Sequence, residues 1–244
     1  GDREAIELPG EQLDLLKAVQ ATGVPTILVL CAGSAMALGW AQENVNAIVD
    51  AWYPGAEGGN AVAKLLFGDY SPAGRLPITF YHSTDELPDF HDYSMKGRTY
   101  RYLTAEPLYP FGYGLSYTSF AYSDLKLSAD KIANGDPVTV SVKVRNTGKM
   151  DGDEVVELYI KDNEASVDVP HFSLCGFKRI TLAAGEEKEV SLTIRPESMR
   201  IVDNDGKRYI EPGTFTVYAG GSAPDALSAR LTGSAPLSAV FTVL

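Results

Sequence analysis

The stretch Val138-Thr-Val-Ser-Val-Lys-Val144 decides the fold of the second half of the chain, because valine alternates strictly with more polar residues. Successive side chains of a β-strand point to opposite faces, so this pattern predicts a strand with one buried face. The same alternation returns in residues 156–160, in residues 190–194, and at Phe215 and Val217. The second half therefore consists of strands that each have one apolar face.

Turn-forming residues separate these runs. They are Asn-Gly-Asp at 134–136, Asn-Thr-Gly at 146–148, Ala-Gly at 184–185, Asn-Asp-Gly at 204–206 and Pro-Gly at 212–213. About seven short strands, with no helical segment between them, are typical of an antiparallel β-sandwich. We place its first residue at 120, so the predicted all-β domain spans residues 120–244.

The first half has a different pattern, which favours α/β structure. Helical spacing of leucine and valine after Pro9 predicts a helix over residues 13–19. The apolar runs at residues 24–31 and 47–53 are unbroken, as expected for parallel strands covered on both faces. A further helix is predicted around residues 62–66, so helices and strands alternate along this half.

Glycine, proline and many aromatic residues punctuate residues 68–120, which predicts an extended connector packed against another surface. Residues 76–80 are a candidate for a third strand. Two or three strands are too few for a doubly wound sheet. We therefore expect the chain to begin inside a domain.

Composition and charge exclude several classes of partner. The 244 residues are 45% apolar, and 21 Lys and Arg face 32 Asp and Glu, which gives a net charge of -11. This charge repels a nucleic acid backbone and an anionic membrane surface. No apolar run is long enough for a membrane span, and no targeting signal is visible. The sequence leaves open a cytoplasmic, periplasmic or secreted location.

No metal or cofactor site is predicted. His82, His91 and His171 are scattered and have no metal-ligand spacing. Residues 55–59, Gly-Ala-Glu-Gly-Gly, open a helix but lack the lysine and hydroxyl of a phosphate-binding loop, so we interpret them as a tight turn.

Two further side chain types receive structural interpretations. Ser34 follows a strand, but Ala32 and Met36 occupy the glycine positions of a nucleophile elbow, which favours a helix-capping role for this serine. Cys31 and Cys175 have apolar neighbours in the sequence, and we interpret them as packed thiols.

Five ordered motifs together resemble the C-terminal region of glycoside hydrolase family 3. They are GDREAIELPGEQ at 1–12, WYPGAEGG at 52–59, SPAGRLPITF at 71–80, GRTYRY at 97–102 and YPFGYGLSY at 109–117. The second half, with residues 146–148, 176–179 and 212–215, looks like the fibronectin type III-like module that closes many family members. The resemblance covers essentially the whole chain.

The resemblance implies a retaining, exo-acting β-glycosidase that removes single glucose or xylose units from non-reducing ends. Residues 1–119 are then the C-terminal part of its α/β sandwich domain, with a mostly parallel sheet, plus the connector. The family's aspartate nucleophile lies in an N-terminal (β/α)8-type portion, which would be this chain's partner. Its acid/base glutamate precedes an Asp-Arg pair that matches Asp2 and Arg3.

It follows that no catalytic residue is expected in this chain and that the chain alone is inactive, because both carboxylates are needed for the double displacement. Asp2 and Arg3 are the candidates for residues close to the substrate. Residues 97–117 are expected to cross the junction between the two halves. There Arg98 and Arg101 are predicted to pair with acids or to stack on aromatic rings.

An alternative function is a non-catalytic carbohydrate-binding or scaffold module, in which the β-sandwich is the working part. Carbohydrate-binding sandwiches present aromatic rings to sugar faces, yet both tryptophans of this chain, Trp40 and Trp52, lie in the first half. The sequence does not decide between glucoside and xyloside substrates, and it leaves open whether the chain forms a homo-oligomer.

Overall fold

A computed structural model describes residues 4–244. The first half contains helix α1 (Gly10–Gln20), strand β1 (Ile27–Leu30), helix α2 (Gly39–Asn44), strand β2 (Ala47–Asp50) and helix α3 (Gly58–Leu66). Strands β1 and β2 pair in parallel, with Ile27 opposite Ala47 and Leu30 opposite Asp50. The predicted α/β pattern is confirmed, although both strands are shorter than their apolar runs.

The core of this half is small and lies on one side of the two-stranded sheet. Its buried residues include Met36, Leu38, Phe80 and Leu108. Helix α1 contains no buried residue, and Leu15 on this helix is 66% exposed. A large part of the apolar surface of α1 and β1 is therefore uncovered.

The connector is mostly extended, with one turn of 3-10 helix at Thr84–Glu86 and the short helix α4 (Thr99–Tyr102). The predicted third strand at residues 76–80 is wrong. The segment forms only an isolated antiparallel bridge between Phe80 and Tyr109, together with a hydrogen bond from the Leu76 amide to the Tyr113 carbonyl. Pro77 within this segment has no N–H group, so it cannot contribute a donor to a strand ladder.

The second half is a β-sandwich. Its long strands are β3 (Phe120–Leu127), β5 (Val138–Asn146), β6 (Gly152–Asp162), β7 (Ser173–Leu182), β8 (Glu187–Ile194), β11 (Gly213–Gly220) and β12 (Leu237–Val243), and its short strands are β4 (Lys131–Ile132), β9 (Ile201–Val202) and β10 (Arg208–Tyr209). One sheet has the order β3-β5-β8 and the facing sheet has the order β4-β12-β11-β6-β7. Strands β9 and β10 form a separate ribbon.

Two details differ from the expected antiparallel, helix-free sandwich. Helix α5 (Ala226–Thr232) lies between β11 and β12, and the residues Pro196–Met199 form a 3-10 turn. The short strand β4 pairs with β12 in parallel. Helix α5 is possible here because Asp225 caps its first turn, while Gly233 ends it in the left-handed conformation at φ 72°.

The alternating valines of β5 face the centre of the sandwich, as their pattern predicts. Val138, Val140, Val142 and Val144 are all buried, and they pack in one core with Leu158 of β6. Within residues 4–244, none of the helices is long and apolar enough to cross a membrane.

Candidate functional site

The chain segment that follows Asp2 and Arg3 is fixed on two sides. Asp2 and Arg3 themselves lie outside the described residues. The Glu7 carboxylate accepts hydrogen bonds from the Thr84 amide at 2.8 Å and from the Thr84 hydroxyl at 2.6 Å. The Ile6 amide donates to the same hydroxyl at 2.9 Å, and the Ile6 carbonyl accepts from the Ala37 amide. Ile6 and Glu7 are thus held between the connector and the loop after β1.

The hydrogen bonds from Thr84 lower the pKa of Glu7, because they stabilise its charged form more than burial penalises it. Glu7 is therefore a structural carboxylate that stays ionised. Its role is to hold the segment leading from Asp2 and Arg3 against the 3-10 turn at Thr84–Glu86.

Asp50 lies at the carboxyl end of β2, the edge where α/β sheets bind ligands. Its Oδ1 accepts a hydrogen bond from the Trp52 amide at 3.1 Å. Its Oδ2 is buried and has no hydrogen-bond partner among the described residues. Desolvation raises the pKa of this carboxyl group. The buried Oδ2 of Asp50 therefore has the capacity for a further hydrogen bond.

The capping role predicted for Ser34 is wrong. Helix α2 begins only at Gly39, its N-cap residue is Leu38, and no side chain caps it. Ser34 is an exposed residue in a bend. Ser34 is five residues before the helix, and between them Ala37 forms an isolated parallel bridge with Glu7.

The tight turn predicted at residues 55–59 is confirmed. Gly55 has a φ of 71°, and its carbonyl accepts a hydrogen bond from the Gly58 amide at 3.1 Å. A Cβ atom at Gly58 would lie 2.6 Å from the Pro54 ring. Glycine at both positions therefore allows the tight turn that leads into α3.

The cysteines and histidines form no shared site. Cys31 is exposed, so its interpretation as a packed thiol is wrong, because the side of β1 near it is uncovered. Cys175 is partly buried, donates to the Leu158 carbonyl, and has its pKa raised to about 12 by desolvation. Across residues 4–244, no group of three or more His, Cys, Asp or Glu side chains could hold a metal ion.

The junction between the halves contains a buried ion pair. Arg75 of the connector donates to Glu154 of β6 at 2.8 Å, and the two side chains are 8% and 3% exposed. Arg75 Nε donates to the Gly221 carbonyl at 3.2 Å, and the Tyr122 hydroxyl donates to Glu154 at 2.7 Å. These groups border a cleft of about 190 Å³. The ion pair thus joins the connector to three parts of the sandwich.

A second buried carboxylate, Glu157, lies on the outer face of β6. The Tyr159 hydroxyl donates to it at 2.7 Å. Gly112 of the connector lies so close that a Cβ atom there would come within 2.3 Å of the carboxylate. Desolvation raises the pKa of Glu157 to about 7, with a smaller opposing effect of the Tyr159 hydrogen bond. Desolvation raises the pKa of Glu154 as well, although the nearby Arg75 opposes this.

Aromatic rings cover the same outer face of β6. Tyr100 of α4 stacks on Phe111 with ring centroids 4.3 Å apart, and both rings contact Tyr159 edge-on. The Tyr100 hydroxyl also accepts a hydrogen bond from the Leu174 amide at 3.0 Å. The aromatic connector therefore crosses the junction, as its composition suggested.

The two connector arginines have different surroundings. Arg101 lies over the Tyr100 ring at 5.9 Å, which confirms the predicted stacking. Arg98 is not ion-paired with an acidic side chain in the described part of the chain. It donates instead to the backbone carbonyls of Asp89, Asp92 and Ser94 at 3.0, 2.6 and 3.2 Å. The reason is that the chain loops back around the guanidinium group, whose several donors suit carbonyl oxygens.

Both buried glutamates already have partners within the chain. Glu154 is bound by Arg75 and Tyr122, and Glu157 is covered by Gly112 and Tyr159, so both are occupied by the protein itself. Sequence reasoning missed both glutamates. In Asp-Glu-Val-Val-Glu at residues 153–157 the two glutamates are three residues apart and lie on opposite faces of the strand, and charged residues are ordinarily expected to face solvent.

A cavity of about 270 Å³ lies between α1 and β1. Leu8, Leu16, Leu28, Leu30 and Met36 are among the residues that line it. The side chain of Leu15 on α1 is also exposed.

Two domain families match the chain. Residues 1–117 match the glycosyl hydrolase family 3 C-terminal domain, and residues 154–223 match a fibronectin type III-like domain. The chain therefore belongs to glycosyl hydrolase family 3. It carries the C-terminal α/β domain of that family together with the fibronectin type III-like module.

The curated relatives include both β-xylosidases and β-glucosidases. A xylan 1,4-beta-xylosidase from Xylanibacter ruminicola is 46% identical over 233 residues, which cover 95% of this chain and 27% of that protein. A periplasmic beta-glucosidase from Salmonella typhimurium is 43% identical over 230 residues, which cover 89% of this chain and 30% of that protein. The chain thus spans less than a third of the length of these relatives.

Solved structures of β-glucosidases also match nearly the whole chain. A β-glucosidase from Erythrobacter marinus superposes on all of this chain with a TM-score of 0.86 at 39% identity, and the match covers 31% of that chain. A β-glucosidase from Listeria innocua in complex with gluconolactone matches 98% of this chain and 33% of its own, with a TM-score of 0.84 at 30% identity.

Proposed function

We propose that this chain is the C-terminal portion of a retaining, exo-acting β-glycosidase. The complete enzyme hydrolyses terminal β-linked glucose or xylose residues, and its nucleophile and acid/base are supplied outside this chain. The observation that carries the proposal is the apolar surface of α1 and β1, which includes a cavity and has no cover within residues 4–244. An N-terminal portion of the enzyme is the partner that this surface requires.

In this proposal the chain divides at its connector. Residues 1–119 complete the α/β domain, and residues 120–244 form the sandwich that supports it. The buried Arg75–Glu154 pair and the stacked rings of Tyr100 and Phe111 hold the two parts in a fixed relative position. The fixed position of the connector matters because its residue Thr84 holds Glu7, close to the first residues of the chain.

Asp2 and Arg3 are proposed to lie close to the substrate. The support is that Ile6 and Glu7, only a few residues later, are fixed by Thr84 and Ala37. Such anchoring restricts where the preceding residues can go, and positioning of this kind contributes strongly to catalysis. The Asp50 carboxylate, with its buried Oδ2, is proposed to accept a donor from the N-terminal portion.

The test is a chimaera. The chain is fused behind the N-terminal part of the Xylanibacter ruminicola β-xylosidase, where it replaces the matching 27% of that protein. We expect 4-nitrophenyl β-xyloside or β-glucoside to be hydrolysed by the chimaera but not by the chain alone. A folded chimaera without activity, or a chain that turns over either substrate alone, would refute the proposal.

Arg3 is tested in the same chimaera. Arg3→Ala is expected to lower kcat at least tenfold, since misplaced groups near the chemistry cost about that much or more. Arg179→Ala is the matched control, because Arg179 makes an exposed ion pair with Asp153 in the sandwich. Equal kinetics of both variants would remove Arg3 from the site.

A non-catalytic sugar-binding sandwich is disfavoured by the surface of that half. Among the described residues 120–244, the exposed aromatic side chain is Phe177 on β7. A single ring is a poor platform for an extended sugar chain, whereas the first half exposes several rings.

A further inference from the structure

A turn of the connector closes over the Glu157 carboxylate of β6. We define the Gly112 turn as residues 110–113. Gly112 has a φ of 77°, and a Cβ atom at this position would collide with the Glu157 carboxylate and the Tyr159 hydroxyl. The Gly112 amide donates to the Leu76 carbonyl at 2.8 Å, which holds the turn in place. Backbone atoms thus lie directly against the carboxylate, and Glu157 is only 4% exposed.

Glu157 has no cation as a direct partner. Within residues 4–244 it belongs to none of the ion pairs. The residues opposite it on the neighbouring strands are Gly220 of β11 and Phe177 of β7, which carry no charge. Arg75 is the cation that lowers the pKa of Glu157, but its guanidinium group binds Glu154 at 2.8 Å. One buried cation therefore serves two buried carboxylates.

The other titratable groups around Glu157 do not offset a negative charge there. Arg179 lies on the same face of the sheet, but it is bound to Asp153 at 2.6 Å and its side chain is 66% exposed. Further groups near Glu157 and Tyr159 are Tyr218, opposite Tyr159 on β11, Tyr122 of β3, Tyr100 of α4 and Asp225, the N-cap of α5. None of these four groups is positively charged. An ionised Glu157 under the closed turn is thus a poorly compensated buried charge, which is strongly unfavourable.

The protonated form of Glu157 suits the closed turn. Desolvation raises the pKa of this carboxyl group to about 7, and the hydrogen bond from Tyr159 opposes the increase only in part. The charge of Glu154 raises the pKa further. The closed turn therefore favours the bound proton, and an open, hydrated turn favours its release.

We propose that Glu157 and the Gly112 turn form a pH switch between the connector and the sandwich. While Glu157 is protonated, the turn is closed. Ionisation of Glu157 requires water at the carboxylate, so the turn lifts away from β6. The rings of Phe111 and Tyr100, which stack on each other and contact Tyr159 edge-on, move away from β6 with it. This switch rests on contacts within the chain and is independent of the proposed function.

The direction of the switch follows from linkage between proton binding and closure. The pKa of Glu157 is raised in the closed state from its ordinary value of 4.5 to about 7. The stability of the closed turn is therefore complete below about pH 4.5, decreases as the pH rises to about 7, and stays lower above that pH.

The experiment measures hydrogen exchange of the complete 244-residue chain by NMR at pH 5 and pH 8. Each rate is divided by the intrinsic exchange rate at that pH, which gives a protection factor. The reporters are the Gly112 amide, bound to Leu76, and the Leu174 amide, which donates to the Tyr100 hydroxyl at 3.0 Å. We expect both protection factors to be at least about tenfold lower at pH 8.

Urea distinguishes the lifting of the turn from unfolding of the sandwich. A local opening exposes little surface, so a low urea concentration should leave the exchange of the Gly112 and Leu174 amides unchanged. Amides of β5, which exchange through larger openings, should exchange faster in the same urea. Circular dichroism checks that the chain is folded at both pH values.

Three variants assign the proton. Glu157→Gln, which has no ionisable group at this position, should abolish the loss of protection at pH 8. Glu189→Gln is the matched control, because Glu189 is exposed on β8, and it should behave as the parent chain. Tyr159→Phe keeps the aromatic ring but removes the hydrogen bond that lowers the pKa of Glu157, so its loss of protection should extend to a higher pH.

Four results would overturn the switch. The first is equal protection of the two amides at pH 5 and pH 8, and the second is a loss of protection that persists in Glu157→Gln. The third is an unchanged pH range in Tyr159→Phe, which would assign the titration to another group. The fourth is exchange of both amides with the same urea dependence as β5, which would mean that the connector leaves β6 only when the whole sandwich unfolds.

Discussion

The two halves of the chain bury their apolar side chains to different extents. In the sandwich, Val138 and Val144 of β5 have no exposed surface, and they pack against an opposite sheet of the same chain. In the α/β half, α1 has no buried residue and Leu15 is 66% exposed. Two facing sheets can supply their own cover, whereas a two-stranded parallel sheet cannot. The sandwich therefore covers its own core, whereas the α/β half leaves apolar surface exposed.

The largest expected effect concerns the link between the halves. Arg75→Ala should lower the free energy of unfolding by about 4 kcal/mol, because it leaves Glu154 buried without its cation. Urea denaturation at neutral pH measures this loss. The control is Arg179→Ala, whose ion pair with Asp153 is largely exposed and should contribute less than about 1 kcal/mol. Similar small losses in both variants would mean that the halves are not coupled through Arg75.

The next effect compares the two cores. Leu158→Ala should lower the free energy of unfolding by about 3 kcal/mol, because Leu158 has no exposed surface and its truncation leaves a cavity. Leu15→Ala should cost less than about 0.5 kcal/mol, since its side chain is already mostly in water. Urea denaturation of the isolated chain measures both losses. A large loss for Leu15→Ala would contradict the idea that α1 is uncovered.

The third effect is a pH dependence of the sandwich. Burial raises the pKa of Glu157 from its ordinary value of 4.5 to about 7 in the folded protein. Because the folded state holds this proton more tightly, stability decreases as the pH rises from about 4.5 to about 7 and stays lower above that range. Glu157→Gln removes this cost and should stabilise the chain at pH 8 by on the order of 2 kcal/mol, with little effect at pH 4.

Thermal unfolding of both proteins across this pH range measures the difference. Burial also raises the pKa of the nearby Glu154. Because both proteins contain Glu154, the difference between them isolates the contribution of Glu157. A pH-independent difference between the two proteins would show that Glu157 does not take up a proton on folding.

The smallest effect concerns helix α5. The Asp225 carboxylate accepts hydrogen bonds from the Ser228 amide at 2.7 Å and from the Ser228 hydroxyl at 2.9 Å. Asp225→Ala should lower stability by about 1 kcal/mol, the usual contribution of an N-cap, and Asp225→Asn should lower it less. If both variants match the parent chain in urea, the cap does not stabilise this helix.

The sequence predicts the sandwich better than the α/β half. The alternation of Val138 to Val144 predicts β5 directly, because a sheet with one buried face has a period of two. The third strand at residues 76–80 fails because an apolar run does not reveal where the next strand of the sheet lies. Helix α5 was missed although Asp225 and Gly233, at its two ends, are usual capping residues.

The junction could not be predicted from the sequence. Glu154 and Glu157 are charged residues that a strand ordinarily exposes, and only the connector packed on β6 shows that they are buried. Arg75 is 79 residues from Glu154 along the chain, and nothing in a single sequence pairs them. The motifs indicated the family, but not the groups that hold the two halves together.

Hydrogen exchange by mass spectrometry compares the two halves in the chain alone and in the chimaera. We expect amides of α1 and β1 to exchange at least tenfold more slowly in the chimaera, because the N-terminal portion covers their apolar surface, while amides of β5 and β6 stay equally protected. Equal protection of α1 and β1 in both proteins would contradict the claim that this half is completed by a partner.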